Sequence, residues 1–189
     1  VQSVAGWAIA GALWPGYDAA TLTISDLAAP ESPVRFIMSA FFLLGGTLTL
    51  IASIFARTFA FPGRVVLFAA AICTYGLTIF PTPFDGVSDA HRFFAIGSFA
   101  LSAGWPIFVM RVRRDAPFII RPLVSVIATL AQVALAIAFL IVWSDPAAQN
   151  VGVWERVVAF SQSAYLSGVV IVCYLTQRAS ARRDAAATA

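Results

Sequence analysis

The stretch Ile137-Ala138-Phe139-Leu140-Ile141-Val142 is apolar at every position, and so is Phe41-Phe42-Leu43-Leu44. A strand of a membrane barrel would alternate apolar and polar residues, so these stretches predict helices that are apolar on all sides. The whole chain agrees, because 60% of its 189 residues are apolar, 11% are charged and the mean hydropathy is +0.88. Too little polar surface is available to coat a soluble domain, and we predict an all-α integral membrane protein.

Six apolar stretches follow one another, each near the ~20 residues that cross ~30 Å of hydrocarbon. They are residues 1–14, 34–56, 65–80, 90–110, 118–143 and 153–175. We therefore predict a polytopic bundle of six transmembrane helices over residues 1–176 and a cytoplasmic tail over residues 177–189. The first stretch is short and the chain opens with Val1, so we expect further residues upstream.

The charged residues divide between alternate connections. One set has nine arginines against two aspartates, a net charge of +7: Arg57, Arg64, Arg111, Arg113, Arg114, Arg121, Arg178, Arg182 and Arg183, with Asp115 and Asp184. The other has three arginines against seven acids, a net charge of −4: Arg35, Arg92 and Arg156, with Asp18, Asp26, Glu31, Asp85, Asp89, Asp145 and Glu155. Cationic connections stay in the cytoplasm, so both termini are predicted to be cytoplasmic. All twelve cations are arginine and alanine is abundant, a composition that indicates a GC-rich bacterial genome. We therefore predict that the membrane is the inner membrane of a bacterium.

Several classes of ligand are disfavoured. The basic residues form short clusters such as Arg111-Val112-Arg113-Arg114, for which anionic lipid headgroups are natural partners, and nucleic acid is not expected. A single histidine excludes a bis-histidine haem. The two cysteines, Cys73 and Cys173, have no metal-binding spacing, so we expect neither a metal nor a cofactor.

Each even-numbered stretch begins with an acid shortly before an arginine. The pairs are Glu31 with Arg35, Asp89 with Arg92, and Glu155 with Arg156. Acids favour helix starts for electrostatic reasons alone, which is one interpretation. In the other, the arginines and acids converge in an outward polar cup that binds an anionic group.

The first outer connection is long and bounded by prolines, from Pro15 to Pro30. Its half-apolar middle predicts a short amphipathic helix at the outer interface, with Asp18, Thr21 and Ser25 on one face and Tyr17 as an anchor. A lid that caps the bundle and binds nothing is the alternative.

The second outer connection, residues 80–92, holds the candidate catalytic residues His91, Asp85 and Asp89. A histidine beside carboxylates can act as an acid or base near neutral pH, or serve as a hydrogen-bonded structural residue. The three could also ligate a metal, but their spacing matches no metal motif. Ser88 or Asp89 is suited to cap the fourth helix.

The motifs of both connections resemble a known family. They are Gly16-Tyr17-Asp18, Thr23-Ile24-Ser25-Asp26-Leu27, Pro33, Gly45-Gly46, Phe80-Pro81-Thr82 and His91. They are similar to those of the six-span bacterial and archaeal membrane family catalogued as domain of unknown function 998. This chain differs in having Ala28 for a glycine, Asp18 for a serine, and Pro83 for an acid, with Asp85 two positions later. The resemblance implies a six-span fold and no particular activity.

Three functions remain open. The first is binding of a lipid headgroup, or service as an accessory subunit beside other membrane-protein subunits. Its candidate ligand-binding residues are Asp18, Thr21, Ser25, Asp26, Arg35, Arg92, Glu155 and Arg156. The second is an enzyme that acts on lipid-linked substrates, with His91 and Asp85 or Asp89 as acid and base. The third, a transporter or flippase, is least favoured because no carboxylate lies deep in an apolar stretch.

Overall fold

The computed structural model describes residues 2–113 and 115–187, and this part of the chain is helical and contains no strand. The α-helices are α1 (Gln2–Ala12), α2 (Arg35–Phe55), α3 (Phe61–Ile79), α4 (Asp89–Val109), α5 (Pro122–Trp143) and α6 (Val151–Ala187). Two 3-10 turns, Asp26–Ala28 and Phe118–Ile120, lie in the connections. Four residues lie outside the described part of the chain: Val1 of the first predicted span, Arg114 of a predicted connection, and Thr188 and Ala189 of the predicted tail.

Five helices, α2 to α6, are long and apolar enough to cross a membrane, so the chain is a multi-pass membrane protein. Helix α3 begins at Phe61, four residues before its predicted start. Pro62 lies in its first turn, where a main-chain N–H has no helical acceptor, so a proline, which has no N–H, is tolerated there. Helix α6 continues through the residues predicted as a tail, whose alanines and arginines are good helix formers. At ~1.5 Å per residue it is about 55 Å long, well beyond the hydrocarbon core.

Helix α1 has 11 residues, or roughly 17 Å at ~1.5 Å per residue. Its first described residue, Gln2, packs on Gly45 in the middle of α2, and Ser3 donates a hydrogen bond to Ser163 Oγ of α6 at 3.0 Å. The described part of α1 therefore covers about half of the bundle's height.

Successive helices pack on each other, and α6 contacts both α1 and α4, which closes the bundle. Connections 13–34, 80–88 and 144–150 meet at one end, which we name the acidic end. Connections 56–60 and 110–121 meet at the other, the basic end. Large apolar side chains such as Phe36 and Leu123, which are 74% and 72% exposed, cover the outer surface, as expected for contact with lipid.

The prediction of an amphipathic helix in the first outer connection is wrong. The segment consists of turns and the 3-10 turn Asp26–Ala28. The Asp18 carboxylate accepts hydrogen bonds from the Ala20 N–H and the Thr21 hydroxyl, each at 2.9 Å. Such local side-chain bonds offer the backbone an alternative to helix. Ile24 and Leu27 are instead buried among α1 and α2, so residues 13–34 form a folded plug in the mouth of the bundle.

Candidate functional site

The plug is held against the start of α6 by Arg156. Its Nη1 donates to the carbonyl oxygens of Ala19 at 2.8 Å and Leu22 at 3.0 Å, and its Nη2 donates to the Tyr17 hydroxyl. The Gly152 N–H, in the first turn of α6, donates to Ala20 O at 2.9 Å. Helix starts leave N–H groups without helical partners, and here Ala20 O of the plug accepts two of them, from Gly152 and, at 3.3 Å, from Val153.

Glu155 is the buried carboxyl of the site, with 5% of its surface exposed. It accepts hydrogen bonds from the Ile24 N–H and, at 3.3 Å, from the Ser25 hydroxyl. It forms no ion pair within residues 2–113 and 115–187, since the neighbouring Arg156 is directed to the plug. Glu155 is therefore stabilised by hydrogen bonds and lacks a paired cation.

The plug has a defined conformation around this carboxyl. The Asp26 carboxylate accepts the Thr23 N–H at 2.7 Å, while the Thr23 hydroxyl accepts the Asp26 N–H at 3.1 Å. The Tyr17 hydroxyl donates to Thr23 O at 2.9 Å, and burial raises the pKa of Tyr17 to about 12, an effect that Arg156 partly offsets. Hydrogen bonds from Ala20 and Thr21 lower the pKa of Asp18.

His91 is buried, with 5% exposed, and its Nδ1 lies 2.8 Å from Phe80 O. A carbonyl oxygen only accepts, so Nδ1 carries the hydrogen and Nε2 of the neutral ring is an acceptor. In the described part of the chain, Nε2 has no hydrogen-bond partner. The predicted cap of α4 is confirmed, since Ser88 Oγ accepts the His91 N–H at 3.2 Å.

Two cavities meet at Glu155. The outer cavity, about 100 Å³, lies between the plug, α4 and α5. Its polar lining residues are Thr23, Ser25, Asp26, Thr82, His91 and Glu155, and its apolar ones are Ala95, Ile96, Phe99, Phe139, Leu140 and Trp143.

The inner cavity, about 180 Å³, lies deeper in the bundle. Its polar lining includes Ser3, Thr49, Thr74, Ser98, Ser102 and Gln162. Ser25, Ala95, Phe99 and Glu155 line both cavities. The inner cavity was not predicted from the sequence, because its polar groups are single residues from several helices. The i, i+4 spacing of Ser98 and Ser102 is the one local signal for it.

The other predicted site residues lie away from the outer cavity. Asp85 and Asp89 are exposed, and neither hydrogen-bonds to His91. Arg35 donates to Pro30 O at 3.0 Å, and the Arg92 guanidinium lies 5.5 Å from the centroid of the Trp143 ring. The structure thus brings Ser25, Asp26, His91 and Glu155 together, with Arg156 beside them. Asp18, Thr21, Arg35 and Arg92 do not line the cavity.

Comparison with curated proteins and comparison with solved structures each give no match. A family sequence model, described as Protein of unknown function (DUF998), matches residues 1–172. The match includes the plug, the start of α4 and Glu155, and it confirms the resemblance seen in the motifs of the two outer connections. The chain therefore belongs to the DUF998 family.

Proposed function

We propose that this protein binds the polar headgroup of a membrane lipid in the outer cavity. The observation that carries the proposal is the mixed lining of that cavity. Carboxyl, hydroxyl and imidazole groups from the plug, connection 80–88, the start of α4 and Glu155 line it together with the aromatic side chains of Phe99, Phe139 and Trp143. A headgroup and the first part of its acyl chains need these two environments side by side.

The cavity also lies close to the lipid-facing surface. Ile96 lines the cavity and is 44% exposed on the bundle exterior, so a small displacement of this side chain opens a lateral path for a lipid. Occupation of the cavity leaves the outer surface of the helices free. Lipid binding is therefore compatible with a role as an accessory subunit of a membrane complex.

The proposal includes six spans with both termini in the cytoplasm of a bacterial cell, which places the acidic end in the outer leaflet. Its support is the five long apolar helices, the packing of α1 against α2 and α6, and the division of charge between connections.

The enzyme alternative has less support. A general acid and base would need His91 near Asp85 or Asp89, and both aspartates are exposed and lie outside the lining of the outer cavity. Passage of a lipid headgroup is the second candidate, and one observation favours it: the outer and inner cavities are adjacent and share Ser25, Ala95, Phe99 and Glu155 in their linings.

Filling the cavity tests the proposed function. Ala95 lines both cavities, so Ala95→Leu should reduce the lipid that co-purifies with the protein by about tenfold, an affinity loss of ~1.4 kcal/mol. Ala100→Leu makes the same change at an exposed position of α4 and should leave bound lipid unchanged. Lipid is quantified by native mass spectrometry, and helicity by circular dichroism establishes that both variants fold. A folded Ala95→Leu protein with the wild-type amount of lipid contradicts the proposal.

A further inference from the structure

The outer cavity presents hydrogen-bond acceptors, and no arginine is among its lining residues. The Glu155 carboxyl accepts two hydrogen bonds, whereas two carboxylate oxygens have about four lone-pair sites, so acceptor capacity remains. Asp26 contributes a second carboxyl, of which only Oδ2 accepts a hydrogen bond from a described residue. A ligand that supplies donors and positive charge would satisfy both groups.

His91 is independent evidence for a ligand at this place. It is about nineteen-twentieths buried, it lines the outer cavity, and its Nε2 has no partner in residues 2–113 and 115–187. Nε2 is not among the fully enclosed side-chain atoms without a partner, so it retains accessible surface while its residue lines the cavity. The neutral ring therefore offers an acceptor to a ligand that supplies a hydrogen-bond donor.

The aromatic residues of the cavity also suit a cation. Phe99, Phe139 and Trp143 are among its lining residues, and aromatic rings attract an ammonium or guanidinium group through their faces. Trp143 already has one such neighbour in the Arg92 guanidinium, 5.5 Å from the ring centroid.

We infer that the outer cavity selects a headgroup with a primary ammonium, as in ethanolamine-type lipids. This inference rests on the proposed function and names its ligand class. An ammonium carries one positive charge and three N–H donors, which match the carboxyls of Glu155 and Asp26 and the free imidazole nitrogen of His91. The phosphate of the same lipid would lie outside the cavity, since Arg156 donates to the plug and not into it.

The test compares three lipids in nanodiscs: phosphatidylethanolamine, phosphatidylcholine, whose cation has no N–H, and phosphatidylglycerol, which has no cation. We expect wild-type protein to retain the ethanolamine lipid about tenfold more than the glycerol lipid, with the choline lipid between them. Glu155→Gln should abolish this preference. Glu31→Gln, the same change at an exposed position outside the cavity, should keep it.

Each outcome is distinguishable. Retention of all three lipids to the same extent would overturn the ammonium assignment and leave the proposed function intact, whereas retention of none would overturn the proposed function itself. Displacement of the lipid by equimolar phosphoethanolamine in solution would support the ammonium chemistry and overturn a lipid as its source. If Glu155→Gln does not fold, Asp26→Asn, which keeps an acceptor for the Thr23 N–H, must reduce the preference for the inference to stand.

Discussion

The two ends of the bundle carry opposite net charge, yet their arginines make the same kind of contact. At the acidic end, Arg156 donates to carbonyl oxygens of the plug. At the basic end, Arg64 donates to Ser53 O and Ile54 O in the last turn of α2, and Arg111 donates to Thr58 O and Phe59 O.

The two ends differ in the contacts of their carboxyl groups. Those of Asp26 and Glu155 accept N–H groups of the plug, whereas Asp115 forms an exposed ion pair with Arg113 at 2.9 Å.

This difference shows that the charged residues at the two ends do not serve mainly to form ion pairs with each other. Helix ends leave main-chain groups without partners, carbonyls at the carboxyl end and N–H groups at the amino end. Arg64 satisfies such helix-end carbonyls at the basic end, Arg156 satisfies carbonyls of the plug at the acidic end, and carboxyls satisfy N–H groups of the plug. Arg156 donates to main-chain carbonyls of the plug, and Glu155 therefore has no paired cation among the described residues. For this reason the acidic end suits a cationic ligand.

Removing the arginines should give the largest effects. Arg156 makes four hydrogen bonds to the plug, to Gly152 O and to Tyr17, so we expect Arg156→Ala to lower the free energy of unfolding by about 3 kcal/mol. Arg64→Ala removes two bonds and should cost about 2 kcal/mol. Unfolding by denaturing detergent in mixed micelles, followed by circular dichroism, measures both.

Arg92→Ala is the matched control for these variants. Arg92 is exposed and its described interaction is with the Trp143 ring, so its loss should cost less than about 1 kcal/mol. Equal losses for the Arg156 and Arg92 variants would contradict the view that backbone capping stabilises the ends.

The contact of α6 with the plug predicts a smaller effect. A Cβ on Gly152 would lie 2.6 Å from Ala19 O and closer still to Leu22 O, so Gly152→Ala should destabilise the protein by about 2 kcal/mol. Gly168→Ala in the same helix meets only Ile119 Cδ1, at 3.8 Å, and should be neutral or stabilising because alanine favours helix. Thermal unfolding in detergent compares the two, and similar melting temperatures for both variants would show that the plug is not tightly docked.

The helices could be predicted from the sequence because their signal is local. Runs such as residues 118–143 are apolar over the whole length of a helix, and the lipid-facing surface requires no partner. The glutamines within the apolar helices face the interior: Gln132 is 6% exposed and bonds to Ser161, and Gln162 donates to Phe99 O. A buried amide in lipid must find a partner within the protein, so burial follows from residue type.

The site could be predicted only in part, since its contacts join distant residues. Ser25, Asp26, His91 and Glu155 were recognised as polar residues of outer connections, and they do line one cavity. The backbone partners could not be predicted. Every residue except proline has an N–H, so the sequence does not indicate that the N–H of Ile24 donates to Glu155. The amphipathic helix failed for the same reason: its periodicity was present, but the bonds of Asp18 and the burial of Leu27 under the bundle favour turns.

The smallest effect concerns the titration of Tyr17 at the acidic end. Its pKa is raised from about 10 in the unfolded chain to about 12 in the fold, chiefly by burial. The unfolded state therefore loses its phenolic proton first as the pH rises. The stability linked to this proton is fully present below about pH 10 and is lost between about pH 10 and 12, so it does not change near neutral pH.

The difference in phenolate absorbance between wild type and Tyr17→Phe measures this ionisation directly. A midpoint near 10 in the folded protein would show that the Tyr17 hydroxyl is not enclosed by the plug and Arg156, and the contact between Arg156 and the plug would then be looser than its hydrogen bonds indicate.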